Sequence, residues 1–260
     1  MKALTIVKIG GHLIDDDQAL KKVLVDFAGI QGPKILIHGG GRAATALAKK
    51  LDLEVQMLEG RRITDTDMLE VAVMVYAGKT NKFMVAKLQA FGCMAIGLTG
   101  ADADLVRSKK RSVDPVDYGW VGDVKKVNAG FLSQWLEGAQ PVVPVFCAIT
   151  HDGNGQLLNT NADTMAAEIA VAMTEFYTTS LIYCFEKPGV LLDISDEDSL
   201  VTQLNQKDYD RLKKQGVIAD GMLPKLKNCF YALNHGVEKI SLGHPEILSD
   251  PHYKCTRISL

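Results

Sequence analysis

Two lysines, one aspartate and two runs of glycine are the residues of this 260-residue chain whose types and surroundings could do chemistry. Lys8-Ile9-Gly10-Gly11 closes an apolar run. A strand ending in glycines can turn sharply and bring its amides close to an anion, and a lysine there adds a positive point charge. His38-Gly39-Gly40-Gly41-Arg42 follows a second apolar run and opens a helical pattern, which makes a second anion cradle with a helix dipole behind it. In Gly60-Arg61-Arg62-Ile63-Thr64-Asp65, Thr64 or Asp65 can cap the next helix. The paired arginines have no such ordinary role. A guanidinium grips a carboxylate with a planar fork, so Arg62 is a candidate for holding a small acid.

Two later stretches complete the set. In Asn159-Thr160-Asn161-Ala162-Asp163, Asn161 can cap a helix. Asp163 either compensates that helix's dipole or points into a site and orients cations there. Asp220-Gly221-Met222-Leu223-Pro224-Lys225 makes a turn and starts another helix. A lysine in a first turn works against the dipole, which suggests that Lys225 is kept for a ligand.

These residues need elements to place them. Apolar, β-branched runs at 4–9, 34–38, 94–98, 141–145, 181–185 and 238–242 read as strands. Between them, 17–28, 42–51, 66–75, 81–91, 129–137, 161–174, 207–215 and 224–235 read as helices. That alternation predicts a mostly parallel sheet covered on both faces, with ligands beyond the carboxyl ends of its strands. Residues 109–126 read as hairpins or loop, and 151–158 as a hairpin. A boundary near Thr178 divides the chain into 1–178 and 179–260.

Several classes are excluded. A net charge of −2 gives no global basic field for nucleic acid. Five scattered cysteines form no C-x-x-C pair, and the six histidines show no metal-ligand clustering. No apolar run reaches the length of a membrane span, and the first residues do not read as a signal peptide. Gly78-Lys79-Thr80 imitates the end of a phosphate-binding loop, but Val73 stands where the upstream glycine should be, and the residues before it read as helix. There is no G-x-G-x-x-G, H-E-x-x-H or G-x-S-x-G.

Taken in order, Lys-x-Gly-Gly, His-Gly-Gly-Gly, Gly-Arg-Arg-Ile-Thr, Asn-Thr-Asn-Ala-Asp and Asp-Gly-Met-x-x-Lys resemble the amino-acid kinase family over roughly residues 3–245. Gly-Arg-Arg-Ile-Thr and Asn159 point to the branch that phosphorylates N-acyl-L-glutamate. The resemblance implies an α/β fold, an open αβα sandwich with a mostly parallel central sheet. It implies that 1–178 binds acyl-glutamate and dimerises, while 179–260 binds ATP. Lys8 and Lys225 match the lysines that stabilise the transferring phosphoryl group, and Asp163 the aspartate that arranges them. Gly10 and Gly11 match the phosphate-contacting turn. Gly39, Gly40, Arg62 and Asn159 match the acyl-glutamate contacts. Glu186, Lys187, Pro188, Gly189, Val190 and Leu191, with Val217, Ile218 and Ala219, match the nucleotide-binding stretches.

The implied reaction is ATP-dependent phosphorylation of the side-chain carboxylate of an N-acyl-L-glutamate in arginine biosynthesis, with acetyl the usual acyl group and succinyl the alternative. Mg²⁺ would travel with the nucleotide, and no metal is assigned to the protein itself. Sister kinases of the family act on other carboxylates, carbamate or phosphate, and a non-enzymatic sensor of nucleotide or acyl-glutamate is the contrasting class. Arginine-inhibited hexameric members carry an extra N-terminal helix. This chain reaches its first strand within a few residues, so the expectation is an arginine-insensitive homodimer; the charge, the cysteines and the lack of a signal or span pattern add the expectation of a cytoplasmic protein with no nucleic-acid or membrane partner. One stretch departs from the family: Phe185-Glu186-Lys187-Pro188-Gly189 stands where many members carry Asp-Val before the turn.

Overall fold

The computed structural model describes every residue except Glu59, Gly60, Ala139, Ala219 and Asp220. The chain opens with β1 (Lys2–Ile9), the short helix α1 (Gly11–Asp15), α2 (Asp17–Gly29), β2 (Lys34–His38) and α3 (Gly41–Lys50). The antiparallel pair β3 (Met57–Leu58) and β4 (Arg61–Arg62) precedes α4 (Thr66–Val73). A π-helical segment, Met74–Thr80, joins α4 directly to α5 (Asn81–Ala90), and β5 (Ala95–Leu98) follows. Next come β6 (Val106–Lys110), β7 (Val121–Val127), α6 (Ala129–Glu137), β8 (Val143–Cys147), β9 (Ile149–His151), β10 (Leu157–Thr160) and α7 (Ala162–Met173). The last part holds β11 (Tyr177–Cys184), the paired β12 (Val190–Leu191) and β13 (Leu200–Val201), and β14 (Gln203–Leu204). It ends with α8 (Gln206–Lys214), α9 (Met222–Asn234), β15 (Lys239–Gly243) and β16 (Thr256–Ile258).

Eight strands form one sheet in the order β14-β16-β15-β11-β1-β2-β8-β5. All its pairs are parallel except β15 with β16. Both faces are covered. Leu4 and Ile6 of β1 pack on the side of α3, α4, α7 and α9, while Val7 and Ile9 pack on the side of α2 and α5. Side chains alternate along a strand, so Lys8 must point to the same side as Leu4 and Ile6, toward α7 and α9. The strands β6, β7, β9 and β10 close into a small barrel beside the sheet. The expected hairpin at 151–158 is its β9–β10 pair. The polar stretch 109–126 is bracketed by β6 and β7, which pair antiparallel.

The eighth strand begins at Val143 rather than at Pro141. Among the described residues, no helix is long and apolar enough to cross a membrane. All five cysteines are buried free thiols. Gly78-Lys79-Thr80 lies inside the π-helical segment, which confirms that it is no phosphate-binding loop.

Candidate active site

The parallel register lines up five strand ends. Ile9 lies opposite both His38 and Cys184, His38 opposite Cys147, and Cys184 opposite Gly243. Two of the chemistry-bearing stretches begin at this edge, Gly10 after β1 and Gly39 after β2, and the loops from Phe185 after β11 and His244 after β15 open there too. The carboxyl edge of a parallel sheet is where such folds bind ligands.

Lys8 and Lys225 meet there on one carboxylate. Lys8 Nζ approaches Asp163 Oδ1 at 2.6 Å as an ion pair without hydrogen-bond alignment. Lys225 Nζ donates a hydrogen bond to Oδ2 at 2.7 Å. All three side chains are nearly buried, at 10%, 11% and 14% exposure respectively. The placement is local in origin. The Asn161 side chain accepts from the Thr164 amide and starts α7, leaving Asp163 in the first turn, where the dipole favours an anion. The Asp163 carbonyl also accepts from the Tyr183 hydroxyl at 3.0 Å. Lys225 sits in the first turn of α9, its ammonium 5.0 Å from the centre of the Tyr183 ring and 5.6 Å from that of Phe185.

The electrostatics follow from this crowding. Burial alone would push the Asp163 carboxyl up, but the Lys225 and Lys8 ammoniums together hold it well below the usual carboxylate range. Burial drives the Lys8 ammonium below its ordinary value; Asp163 draws it back up and Lys225 pushes it further down. Asp163 thus stands in the first turn of α7 and also contacts both cations.

The glycine turn differs in one respect from the expectation of two anion-facing amides. The Gly10 amide donates to the Cys184 carbonyl at 2.8 Å, extending the β1–β11 ladder. Gly10 is needed for close approach instead: a Cβ there would lie 3.3 Å from that carbonyl and 3.4 Å from Phe185 Cβ. Beside Gly11 there is open space.

A cavity of about 180 Å³ holds the four residues expected to contact a small acid. Gly39, Gly40, Arg62 and Asn159 all line it. Arg62 is buried, and its Nη2 donates to Gly41 O at 2.8 Å and to Thr45 Oγ1 at 2.7 Å. Asn159 Nδ2 donates to Thr64 Oγ1 at 3.0 Å. The wall also carries residues that sequence reasoning missed, notably Tyr76, Arg111 and Asp123. Arg111 donates from Nε and Nη2, one edge of its guanidinium, to the two Asp123 carboxylate oxygens. His38, passed over as the last residue of a strand, fixes the glycine loop. Its Nδ1 donates to Gly39 O at 2.7 Å, and Nε2 accepts from Asn81 Nδ2 at 3.1 Å. Complete burial pushes the imidazole down to about 4, so it is neutral and held in that tautomer.

The expected nucleotide stretches divide by exposure. Glu186 pairs with His12 at 3.5 Å and Lys187 with Glu197 at 3.7 Å. Pro188 lines a second cavity, of about 570 Å³, with His244, Asp250, His252, Tyr253 and Lys254. A Cβ on Gly189 would collide with Thr256 and Leu200. Val190, Leu191 and Ile218 are buried, and Val217 packs against the core. These four pack into the protein interior. Ala219 lies outside the described residues. The C-terminal wall of this cavity carried no sequence signal beyond scattered histidines. Among the described residues no group of three or more His, Cys, Asp or Glu could hold a metal ion.

The family model for the amino acid kinase family matches residues 3–244. A protein of Phocaeicola vulgatus named acetylglutamate kinase is 51% identical over 237 residues, covering 91% of each chain. One of the same name from Cytophaga hutchinsonii is 50% identical, over 95% of this chain and 94% of its own. In fold, the chain is similar to N-acetylglutamate synthase from Neisseria gonorrhoeae, with a TM-score of 0.83 at 19% identity over 99% of this chain and 59% of that one. It is also similar to carbamate kinase from Giardia lamblia, with a TM-score of 0.66 at 12% identity over 99% and 98%. The strand-edge site thus lies in a chain that its sequence relatives match nearly end to end, and the protein belongs to the amino acid kinase family, in its acetylglutamate kinase branch.

Proposed function

We propose that the protein catalyses ATP-dependent phosphorylation of the side-chain carboxylate of N-acetyl-L-glutamate, giving the acyl phosphate. The observation that carries this reading is the pair of ammoniums on one buried aspartate at the edge of the sheet. The acceptor carboxylate is already ionised at neutral pH and needs no general base. The obstacle is anion meeting anion: two unit charges about 4 Å apart repel by about 1 kcal/mol in water and about 4 kcal/mol at an effective dielectric of 20. Lys8 and Lys225 supply a preorganised opposing field, and Asp163 sets their spacing without accepting a proton. Arg62 and Asn159 hold the acyl-glutamate in the first cavity, supported by Gly39 and Gly40. Gly10, Gly11 and the stretches 186–191 and 217–219 serve the nucleotide. ATP supplies the phosphoryl group. Mg²⁺ belongs to the nucleotide in this reading, because both Asp163 oxygens already face ammoniums.

Residues 1–178 are assigned to acyl-glutamate and to dimer formation, and 179–260 to ATP. The working form is a cytoplasmic homodimer. Sedimentation of the purified protein tests that assembly.

N-succinyl-L-glutamate is the alternative acceptor that the family resemblance leaves open. ADP release with N-acetyl-L-glutamate, N-succinyl-L-glutamate, carbamate and aspartate as acceptors separates the readings. Turnover of an acyl-glutamate alone supports the proposal, and turnover of another acceptor with both acyl-glutamates inert overturns it. ATP binding without turnover on any acceptor points to a sensor.

A further inference from the structure

The π-helical segment Met74–Thr80 interrupts what would otherwise be one continuous helix. Its closure is explicit: the Asn81 amide donates to the Tyr76 carbonyl, five residues back. In a regular α-helix, residues five apart point about 140° away from each other. A π-turn brings them near the same face. Here both reach the loop His38–Gly41. Asn81 donates to His38 Nε2, while the Tyr76 ring lies under Gly40, where a Cβ would be 2.6 Å from Cδ1. Tyr76 is buried, yet it lines the first cavity. A Cβ on Gly41 would lie 3.8 Å from Arg62 Nη2 and 3.9 Å from the Tyr76 hydroxyl, which sets the two polar groups around one spot.

Their chemistry then restricts the proton. A guanidinium has donors only, so towards Arg62 the phenol oxygen can act only as acceptor. Its own O–H is left to point elsewhere, and Tyr76 lines the cavity.

We propose that Tyr76 is a substrate-contacting specificity residue, its O–H donating to the carboxylate that Arg62 grips, and that the π-turn serves to aim it there. This rests on the acyl-glutamate reading of the cavity and assigns the α-carboxylate as the shared anion.

The test pairs a variant with a truncated acceptor. Tyr76→Phe keeps the ring and removes the hydroxyl. N-acetyl-4-aminobutyrate keeps the acyl amide and the reacting carboxylate but lacks the α-carboxylate. On acyl-glutamate, Tyr76→Phe is expected to lose about tenfold in kcat/KM, through KM, with the KM for ATP unchanged. On N-acetyl-4-aminobutyrate, wild type and variant should be equal. If the variant is less stable, the ratio of the two acceptors within it still reads the contact, because partial unfolding lowers both rates together. Equal loss on both acceptors, or no loss on either, overturns the role of Tyr76. A wild type inert to acyl-glutamate but active on another acceptor overturns the reading of the cavity instead.

Discussion

Lys8 and Lys225 approach opposite oxygens of a single buried carboxylate, at 2.6 and 2.7 Å. One comes from the first strand of the sheet and the other from the last long helix, so neither local sequence sets their meeting. Asp163 does, and an anion passing near it meets two cations already in place.

Replacing either cation should strike the chemical step. Lys8→Arg puts a planar fork where a compact ammonium fits, and Lys225→Ala removes the charge. Each is expected to lower kcat by about 100-fold or more, the cost of losing one preorganised charge partner. Steady-state kinetics check this. Wild-type turnover in Lys225→Ala would remove that lysine from the mechanism.

The rate should fall early on the alkaline side. Burial lowers the Lys8 ammonium below the ordinary lysine value of 10.5, and the ammonium is the working form. Activity is therefore present below that lowered value and lost as pH rises through it. A pH profile of kcat with an alkaline limb below 10.5 is expected, and a flat profile through that pH contradicts it.

His38 makes the fold sensitive to acid. Its folded-state value is pushed down to about 4, from an unfolded value of 6.5, first by burial. Between those pH values the unfolded chain binds more protons, so stability rises with pH across the window. The contribution is complete above 6.5 and lost as pH falls through about 4, amounting to about 3 kcal/mol. Urea midpoints from pH 4 to 7 should show this slope in the wild type and a shallower one in His38→Gln.

Gly40→Ala should act through Tyr76. The added Cβ would lie 2.6 Å from that ring, so ring or loop must move. A stability loss of about 1–3 kcal/mol is expected from overpacking, with a raised KM for the acid. Thermal melts and acceptor kinetics read both, and an unchanged KM would separate the loop from substrate binding.

Arg62→Ala should raise the KM for acyl-glutamate about 100-fold while leaving that for ATP alone, since charge-assisted bonds contribute about 1.5–3 kcal/mol each. Some stability should also go, because Thr45 Oγ1 loses its Arg62 donor and Gly41 O is left with the Thr45 hydroxyl as its side-chain donor. A large rise in the KM for ATP would contradict the assignment.

Much of this was legible in the residues. Six strands of the large sheet followed from apolar runs, and Lys8 and Arg62 stood out because each type needed a reason to be where it was, while Asn159 entered through the family resemblance. Asp163 was ambiguous, because a carboxylate in a first turn looks the same whether it serves the dipole or a distant cation. Tyr76 was invisible for a different reason. An aromatic in a helical run reads as core, and periodicity does not distinguish a π-turn from the α-helix around it. His38 and Asn81 are joined across elements, as are Arg111 and Asp123 across the stretch read as loop. Pairings of that kind are made by topology and leave no spacing to find.

The strand synthesised first is bordered on one side by a strand synthesised only after about two-thirds of the chain, Lys2 facing Tyr177 and Ile9 facing Cys184. On the ribosome that edge stays open until residues 177–184 emerge, and the surroundings of Lys8 wait longer still, for Lys225. A chain cut short before residue 177 is not half an enzyme. It carries an apolar strand paired with β2 on one side only, its other edge free to join with the same strand of another unfinished copy.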